Sequence, residues 1–333
     1  MRIFVCEYIT GGGLQGGVAP ASLIAEGAMM VQALAADLAD ISGVRVLAAY
    51  DPAVTLGPLP AELRAVAPNG IWRQWQELVA EADAVWPIAP ETDGALERLT
   101  ELAGKGGRPV LNSRLAALAI ARSKLATFRH LASRGIPVVP TVDAQDDPPA
   151  SKAGWVAKPD DGAGCDNTIF LPDAIALARW RRAGPAASSV LQPFLPGAAL
   201  SGSILAQEGR SWLLACNRQN VEIMGGKFAY HGGIVGGAEE FRARLEPIAA
   251  QIAAALPDLW GYVGVDLIDG PGGPVVLEIN PRLTTSYIGL RRSLGLNPAA
   301  LVLALLHRKI GSIVRPLSPQ PVEIAVSGFE AAA

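Results

Sequence analysis

Cysteine and histidine are both scarce in this 333-residue chain, with three of each. Cys6, Cys165 and Cys216 lie far apart, which excludes a disulfide framework and zinc-type spacing and leaves them to be read as reduced thiols. His130, His231 and His307 are equally dispersed. Basic residues are not in excess: 28 Lys and Arg stand against 31 Asp and Glu, a net charge of −3, so no nucleic-acid surface is implied. Long apolar runs are also missing. After Arg2 only Ile3 to Cys6 precede Glu7, too short for a signal peptide, and the uncharged run at residues 299–306 is far short of a membrane span. The expectation is a soluble, cytoplasmic protein without a membrane or nucleic-acid partner. What is present is an apolar half (50%) with 18% charge, the balance of a compact globular enzyme, in a length that predicts two or three domains.

Residues 2–8 read as a first strand running into Thr10-Gly11-Gly12-Gly13, and residues 21–40 have the Ala/Leu/Met-rich pattern of a helix. Strand, glycine turn and helix open a doubly wound α/β unit. Gly11, Gly13 and Gly16 have the bare Gly-x-Gly-x-x-Gly spacing, but no acidic residue follows a second strand where a dinucleotide site needs one, Asp51 being followed directly by Pro52. The turn is therefore read as either touching a substrate or merely turning the chain. Strands are predicted over 45–49 and 84–88, and helices over 72–82 and 95–103. Ligands of open α/β sheets sit beyond the carboxyl ends of the strands. That places Glu7, Thr10 and Glu91 near one crevice, with Gly12 in the adjoining turn. Surface capping explains Glu91 almost as well. Residues 1–112 form this N-terminal α/β domain.

Residues 113–134 read as one helical stretch, within which Lys124 on its own is an ordinary solvated lysine. Residues 155–159 form a strand ending at Lys158-Pro159. A glycine-rich turn with Gly162 and Gly164 follows, and residues 169–171 return. Such a hairpin tip can fold over phosphates and offer them backbone N–H groups, and the Lys158 ammonium can reach the same phosphates. A strand over 189–192 breaks at Pro193-Phe194-Leu195-Pro196-Gly197. Strands over 201–206 and 211–216 precede a glycine-rich stretch, 224–237, read as a mobile loop over the site. Helices over 241–256 and 301–309 and a last strand over 322–326 complete the reading.

The most informative stretch is Pro-Val-Val-Leu-Glu-Ile-Asn-Pro-Arg at residues 274–282. Its apolar run predicts a buried strand, and side chains two apart on a strand share a face, so Glu278 and Asn280 converge. Pro281 ends the ladder and Arg282 lies just beyond. Upstream, Gly264-Val265-Asp266-Leu267-Ile268 and the turn at 269–273 predict an antiparallel hairpin that sets Asp266 beside Glu278. Two carboxylates and an amide suit Mg²⁺, which takes few protein oxygens and completes its octahedron with phosphates and waters.

With these residues in place, the chain resembles the ATP-grasp superfamily of carboxylate–amine ligases over roughly residues 113–311. Its most specific part is Asp266 followed by Glu278-x-Asn280-Pro281-Arg282. The resemblance implies an α/β and α+β protein in which two ATP-grasp subdomains, 113–192 and 193–333, clasp ATP. It implies Lys124, Lys158, Gly162 and Gly164 at the phosphates, and Gln192, Phe194 and Leu195 at the adenine. Asp266, Glu278 and Asn280 would be metal ligands for Mg²⁺, with Mn²⁺ as a substitute, and Arg282, Arg218 and Lys158 would be catalytic. Ala198 and Ala199 stand where many members carry a ribose-binding Glu. Residues 7–14, 89–93, 214–219 and 280–287, with Thr284 and Thr285 in the last, resemble one branch, the tyramine–glutamate ligases of methanofuran biosynthesis and their methylotroph relatives. That branch implies ATP-dependent joining of glutamate, through its γ-carboxyl, to an aromatic amine, tyramine or tyrosine, by way of an acyl phosphate. A homodimer is compatible with it. Another amino-acid or dipeptide ligase, or a nucleotide-binding module that has lost catalysis, is the alternative.

Overall fold

The structure, a computed structural model, describes residues 1–15, 17, 20–162, 164–186, 188–307 and 318–326. Near the N-terminus, strands β1 (Arg2–Glu7), β2 (Arg45–Tyr50), β3 (Glu62–Ala65) and β4 (Ala84–Ile88) form a parallel sheet in the order β3-β2-β1-β4. Helices α1 (Ala21–Ala39), α2 (Ile71–Glu81) and α3 (Ala95–Lys105) connect or follow these strands. The order reverses between β1 and β4, so their carboxyl ends flank the crevice of this sheet. Helix α1 is long and apolar enough to cross a membrane by length and composition alone. In the fold those apolar residues have another use: Val31, Leu34, Ala35 and Leu38 are at most 2% exposed and pack into a core beneath β1 and β4.

The expected single stretch over 113–134 is two helices, α4 (Leu115–Ala121) and α5 (Lys124–Ala132). The break has a local cause. Ser123 is extended (φ −108°, ψ 120°) and its hydroxyl accepts from the Ala126 N–H, an N-cap that starts a new helix. Lys124 thereby becomes the first residue of α5, where it is 6% exposed rather than solvated.

The remaining strands are β5 (Val142–Asp143), β6 (Trp155–Pro159), β7 (Ile169–Leu171), β8 (Ser189–Pro193), β9 (Ala198–Gln207), β10 (Arg210–Met224), β11 (Lys227–Val235), β12 (Gly261–Gly270), β13 (Gly273–Asn280) and β14 (Val322–Ala325). Helices α6 (Ala174–Arg182), α7 (Arg242–Ala255), α8 (Tyr287–Leu294) and α9 (Pro298–Leu306) complete the fold. The strands follow the order β13-β12-β9-β10-β11-β7-β6-β8-β5, with β14 on β11. The end of the helix expected over 301–309 falls partly outside the described residues.

Residues 224–237 are not a loop. They are the end of β10 and the whole of β11, joined by the two-residue turn Gly225-Gly226. Both glycines have positive φ (56° and 80°), which a two-residue hairpin turn of right-handed twist requires. A Cβ at Gly232 would lie 2.0 Å from the Ile324 carbonyl oxygen, and one at Gly233 would lie 2.4 Å from that of Arg218. The glycines here permit close strand pairing.

Four cores hold the described residues. The largest joins Ile3, Val5 and Leu34 of the N-terminal region to Tyr262, Tyr287 and Val302. The smallest, under β6–β8 and α6, contains only Ala157, Leu171, Leu177 and Leu191 as buried members. Asp37 on α1 fastens the two ends of the chain together. It accepts from the Tyr287 hydroxyl at 2.9 Å and the Arg291 guanidinium at 3.2 Å, and its carbonyl accepts from Asn297 at 2.7 Å.

Candidate active site

Strands β6, β8, β9, β12 and β13, the α5 terminus and helix α1 surround one cleft of about 320 Å³. On one wall Lys158, near the end of β6 and paired with Val190 of β8, is 7% exposed. Burial pulls its ammonium down to about 8, partly offset by the Glu278 carboxylate. The following turn holds Gly164, Cys165 and Asn167 at φ 66°, 62° and 52°. Only glycine adopts these angles freely, so the turn carries local strain at Cys165.

Lys124 reaches this turn from α5. Its Nζ donates to the carbonyls of Asp160 (3.2 Å) and Gly162 (2.7 Å) and lies 3.7 Å from Glu278 Oε2. Its backbone N–H donates to the Asp160 carbonyl and that of Leu125 to the Asp160 carboxylate. The capped start of α5 therefore anchors the glycine turn, and both lysines share one carboxylate.

The hairpin β12–β13 pairs Asp266 with Glu278, as expected from their spacing. A bulge follows: Leu267 pairs with Val276, leaving Leu277 as the extra residue. Leu277 and Glu278 consequently both line the cleft, the first as an apolar surface and the second as a charge. Asp266 accepts from Gln219 Nε2 at 2.9 Å through Oδ1 and from Asn280 Nδ2 at 3.0 Å through Oδ2. Burial and the neighbouring Glu278 push the Asp266 carboxyl well above the usual range, whereas the two lysines hold Glu278 below it. Two carboxylates with so little water demand a compensating charge.

At the other end, the hinge after β8 presents an edge. The Phe194 N–H is committed to the Gly154 carbonyl, but no acceptor meets the Leu195 N–H among the described residues. Val139, Val156, Phe194, Phe228, Ile268 and Leu277 make this end apolar. Phe170 braces Phe194, ring centroids 4.7 Å apart. Gln192 lines the cleft, but its amide is spent on the Thr141 hydroxyl at 2.9 Å. Ala199 also faces the cleft, so no carboxylate stands at that position.

The other anticipated residues divide. Thr284 and Thr285 line the cleft, their hydroxyls bonded to Tyr262 (2.9 Å) and Tyr230 (2.8 Å). Arg282 also lines the cleft and reaches the segment that follows β4. Its Nε donates to both Glu91 oxygens (2.9 and 3.0 Å) and a terminal nitrogen donates to Oε2 (2.9 Å). Glu91 thus meets the site through Arg282. Glu7, Thr10 and Gly12 do not line the cleft. The Glu7 carboxylate accepts from the N–H groups of Ile9 and Thr10 and from the Thr10 hydroxyl, closing its own turn. A Cβ on Gly12 would meet the Val66 side chain at 2.8 Å. Arg218 is a further departure: it bonds Glu240 and the Gly237 carbonyl and stacks on Phe241, outside the cleft lining, while its neighbour Gln219 faces inward. Alternation along β10 sends adjacent residues to opposite faces, so only one of the two can face the cleft.

Polar and helical lining residues without a sequence expectation include Glu26 and Met30 on α1, and Gln219. The signal for Glu26 was present, since it and Asp37 are the only charged side chains in an otherwise apolar helix.

Two family comparisons match consecutive parts of the chain: the ATP-grasp domain over residues 121–286 and the pre ATP-grasp 3 domain over residues 44–118. The chain belongs to the ATP-grasp family, with a pre-ATP-grasp N-terminal domain. It is 32% identical over 102 residues to the tyramine–L-glutamate ligase of Methanocaldococcus jannaschii, an overlap of 31% of this chain and 32% of that protein. The matched part is therefore about a third of that relative's length. Among solved structures, an ATP-grasp superfamily protein from Archaeoglobus fulgidus superposes with a TM-score of 0.71 at 23% identity, covering 91% of this chain and 88% of that one. The L-amino acid ligase of Bacillus licheniformis gives 0.67 at 17% identity, covering 99% and 76%. These two likenesses concern the fold.

Proposed function

We propose that the chain is an ATP- and Mg²⁺-dependent carboxylate–amine ligase. It joins glutamate, through its γ-carboxyl, to tyramine or tyrosine in the synthesis of a methanofuran-type cofactor. The observation that carries this reading is the convergence of Lys124, Lys158, Asp266, Glu278 and Asn280 at one end of a cleft whose other end is an apolar hinge with a free N–H. The sequence similarity to tyramine–L-glutamate ligase supports the choice of substrates.

The residues fit a magnesium site. Among the described residues no group of three His, Cys, Asp or Glu could hold a metal ion, so this is not a self-sufficient protein cage. Asp266, Glu278 and Asn280 instead suit an ion that arrives with phosphate oxygens and water. A bound divalent cation would add positive charge beside the two half-buried carboxylates and would screen phosphate from carboxylate.

Lys158 and Lys124 bind the phosphates from beneath the glycine turn, and the hinge receives the adenine through the Leu195 N–H. Glutamate's carboxylate takes the γ-phosphoryl group and becomes an acyl phosphate, which the amine then attacks. The protein supplies alignment and charge, with no nucleophile of its own. The partly enclosed cleft limits hydrolysis of the acyl phosphate. Acting on small metabolites, the enzyme would work in the cytoplasm, and its homodimerisation is part of this proposal only as compatible with the fold.

The test is coupled ADP release with Mg²⁺-ATP and glutamate against tyramine, tyrosine and other amino acids. Release requiring both glutamate and an aromatic amine, with a product of condensed mass, is expected. Release with other pairs only would retain the ligase and remove these substrates.

A further inference from the structure

Helix α1 contributes one carboxylate to the cleft that the reading above does not use. Glu26 and Met30, one helical turn apart, both line it. The helix can approach this closely because residue 27 is glycine: a Cβ there would lie 2.8 Å from the Glu7 carboxylate. That carboxylate is held by three hydrogen bonds and cannot easily yield.

Glu26 accepts no hydrogen bond and forms no ion pair among the described residues, although Arg282 is near enough to favour its charge. Arg282 is already committed, to Glu91 and to the Leu283 carbonyl. Glu26 is also one of the charges felt by Tyr230, Cys165 and Arg282, which puts it at the Arg282 end of the cleft and away from the hinge. A carboxylate there repels phosphates and a carboxylate substrate. The ligand chemistry that suits it is a cationic amine.

We infer that Glu26 is the anchor for the acceptor's amino group, with Met30 packing on the apolar or aromatic body that carries it. The inference rests on the ligase reading. Thioether sulfur makes favourable contacts with aromatic rings, so the pair of residues selects a primary amine with an aromatic body over a small polar one. In the step this serves, the bound ammonium gives one proton to the Glu26 carboxylate. The freed nitrogen lone pair attacks the acyl carbon and the C–N bond forms. The C–O bond to phosphate breaks, and inorganic phosphate leaves with that electron pair and takes the second amine proton. Burial pushes the Glu26 carboxyl up, which assists it as a proton acceptor.

The test uses the full-length protein and its Glu26→Gln, Glu26→Asp and Met30→Ala variants. Kinetics of ADP release with tyramine are combined with calorimetric tyramine binding in the presence of Mg²⁺ and a non-hydrolysable ATP analogue. Glu26→Gln is expected to raise the tyramine KM about 10- to 100-fold, the worth of a hydrogen bond to a charged group, and to leave the ATP KM unchanged. Glu26→Asp should recover part of the loss, and Met30→Ala should lower the preference for tyramine over ethylamine. Tyramine binding to the unaltered protein that persists undiminished in Glu26→Gln would overturn the anchor alone. Absence of any signal with tyramine and with tyrosine in the unaltered protein, in both assays, would remove the aromatic-amine substrates and overturn the anchor with them.

Discussion

Removing the Glu91 carboxylate offers the sharpest test of how the N-terminal sheet and the cleft are joined. Glu91 and Arg282 are 9% and 12% exposed and 191 residues apart in sequence, and they share three hydrogen bonds. Burial of such a pair contributes little net stability, but removal of one partner leaves an uncompensated charge, at a cost of about 3–5 kcal/mol. Arg282 retains the nearby negative charges of Glu278 and Glu26. The loss for Glu91→Ala should therefore fall at the lower end, ~3 kcal/mol. Replacing both partners with apolar side chains, Glu91→Ala with Arg282→Met, should restore most of it, since no charge is then stranded. Urea unfolding of the two single variants and the double variant forms a complete cycle, with an expected coupling of at least about 2 kcal/mol. Stability of Glu91→Ala within ~0.5 kcal/mol of the unaltered chain would refute the argument, because it would show Arg282 hydrated or otherwise paired once Glu91 is gone.

Four further outcomes follow from the same geometry. Asp266→Ala and Glu278→Ala should each abolish ADP formation with unchanged far-ultraviolet circular dichroism; near-normal turnover in either would remove that residue from the metal site. Nucleotide binding at pH 8 should take up on the order of half a proton, because Lys158 sits at about 8 when unliganded and phosphate favours its charged form. The uptake should vanish in Lys158→Met, as read by calorimetry in buffers of different ionisation enthalpy. The same depressed value sets a stability trend. Unfolded lysine binds its proton up to its model value of 10.5, so between about 8 and 10.5 the unfolded chain holds more protons and the Lys158 contribution to stability rises with pH; it is lost as pH falls through about 8. Gly27→Ala should destabilise the fold by roughly 1–3 kcal/mol, the usual cost of overpacking, and should also weaken tyramine binding by displacing Glu26. An unaffected melting temperature would show that the Glu7 turn yields.

Much of the site was legible because strand geometry is short-range. The two-residue spacing of Glu278 and Asn280, and the glycine turn between Asp266 and Glu278, determine the shared face and the pairing without further context. The bulge at Leu277 was not legible, because nothing in Pro-Val-Val-Leu-Glu marks which residue will be left unpaired. Gly225-Gly226 was misread because glycine serves both flexible loops and two-residue hairpin turns, and only the pairing of Met224 with Lys227 distinguishes them. Lys124 looked solvated because the partners that bury it, the Asp160 and Gly162 carbonyls, are more than 30 residues away. Arg218 was expected from the family resemblance alone, and only the alternation along β10 shows that its neighbour Gln219 is the one facing the cleft. Glu26 lies on a helix whose apolar pattern accounts for packing so fully that its cleft-facing carboxylate drew no notice.

The long sheet of the second half is continuous on paper, but β7 and β11 are in register at a single pair, Ile169 with Lys227. The segment beyond that joint, β5 to β8 with α6, has the four-member core, while the rest of the chain shares cores that run from its first strand to its last. Stiffness is therefore distributed unevenly, and the compliant part is the jaw that carries Lys158 and the glycine turn. On the proposed function, grip on a nucleotide would come from rotation of this light jaw about a short joint, one register pair flanked by two backbone hydrogen bonds, against the β12–β13 hairpin and α1. Adding rungs at that joint would make the resting protein more robust and slow its release of product.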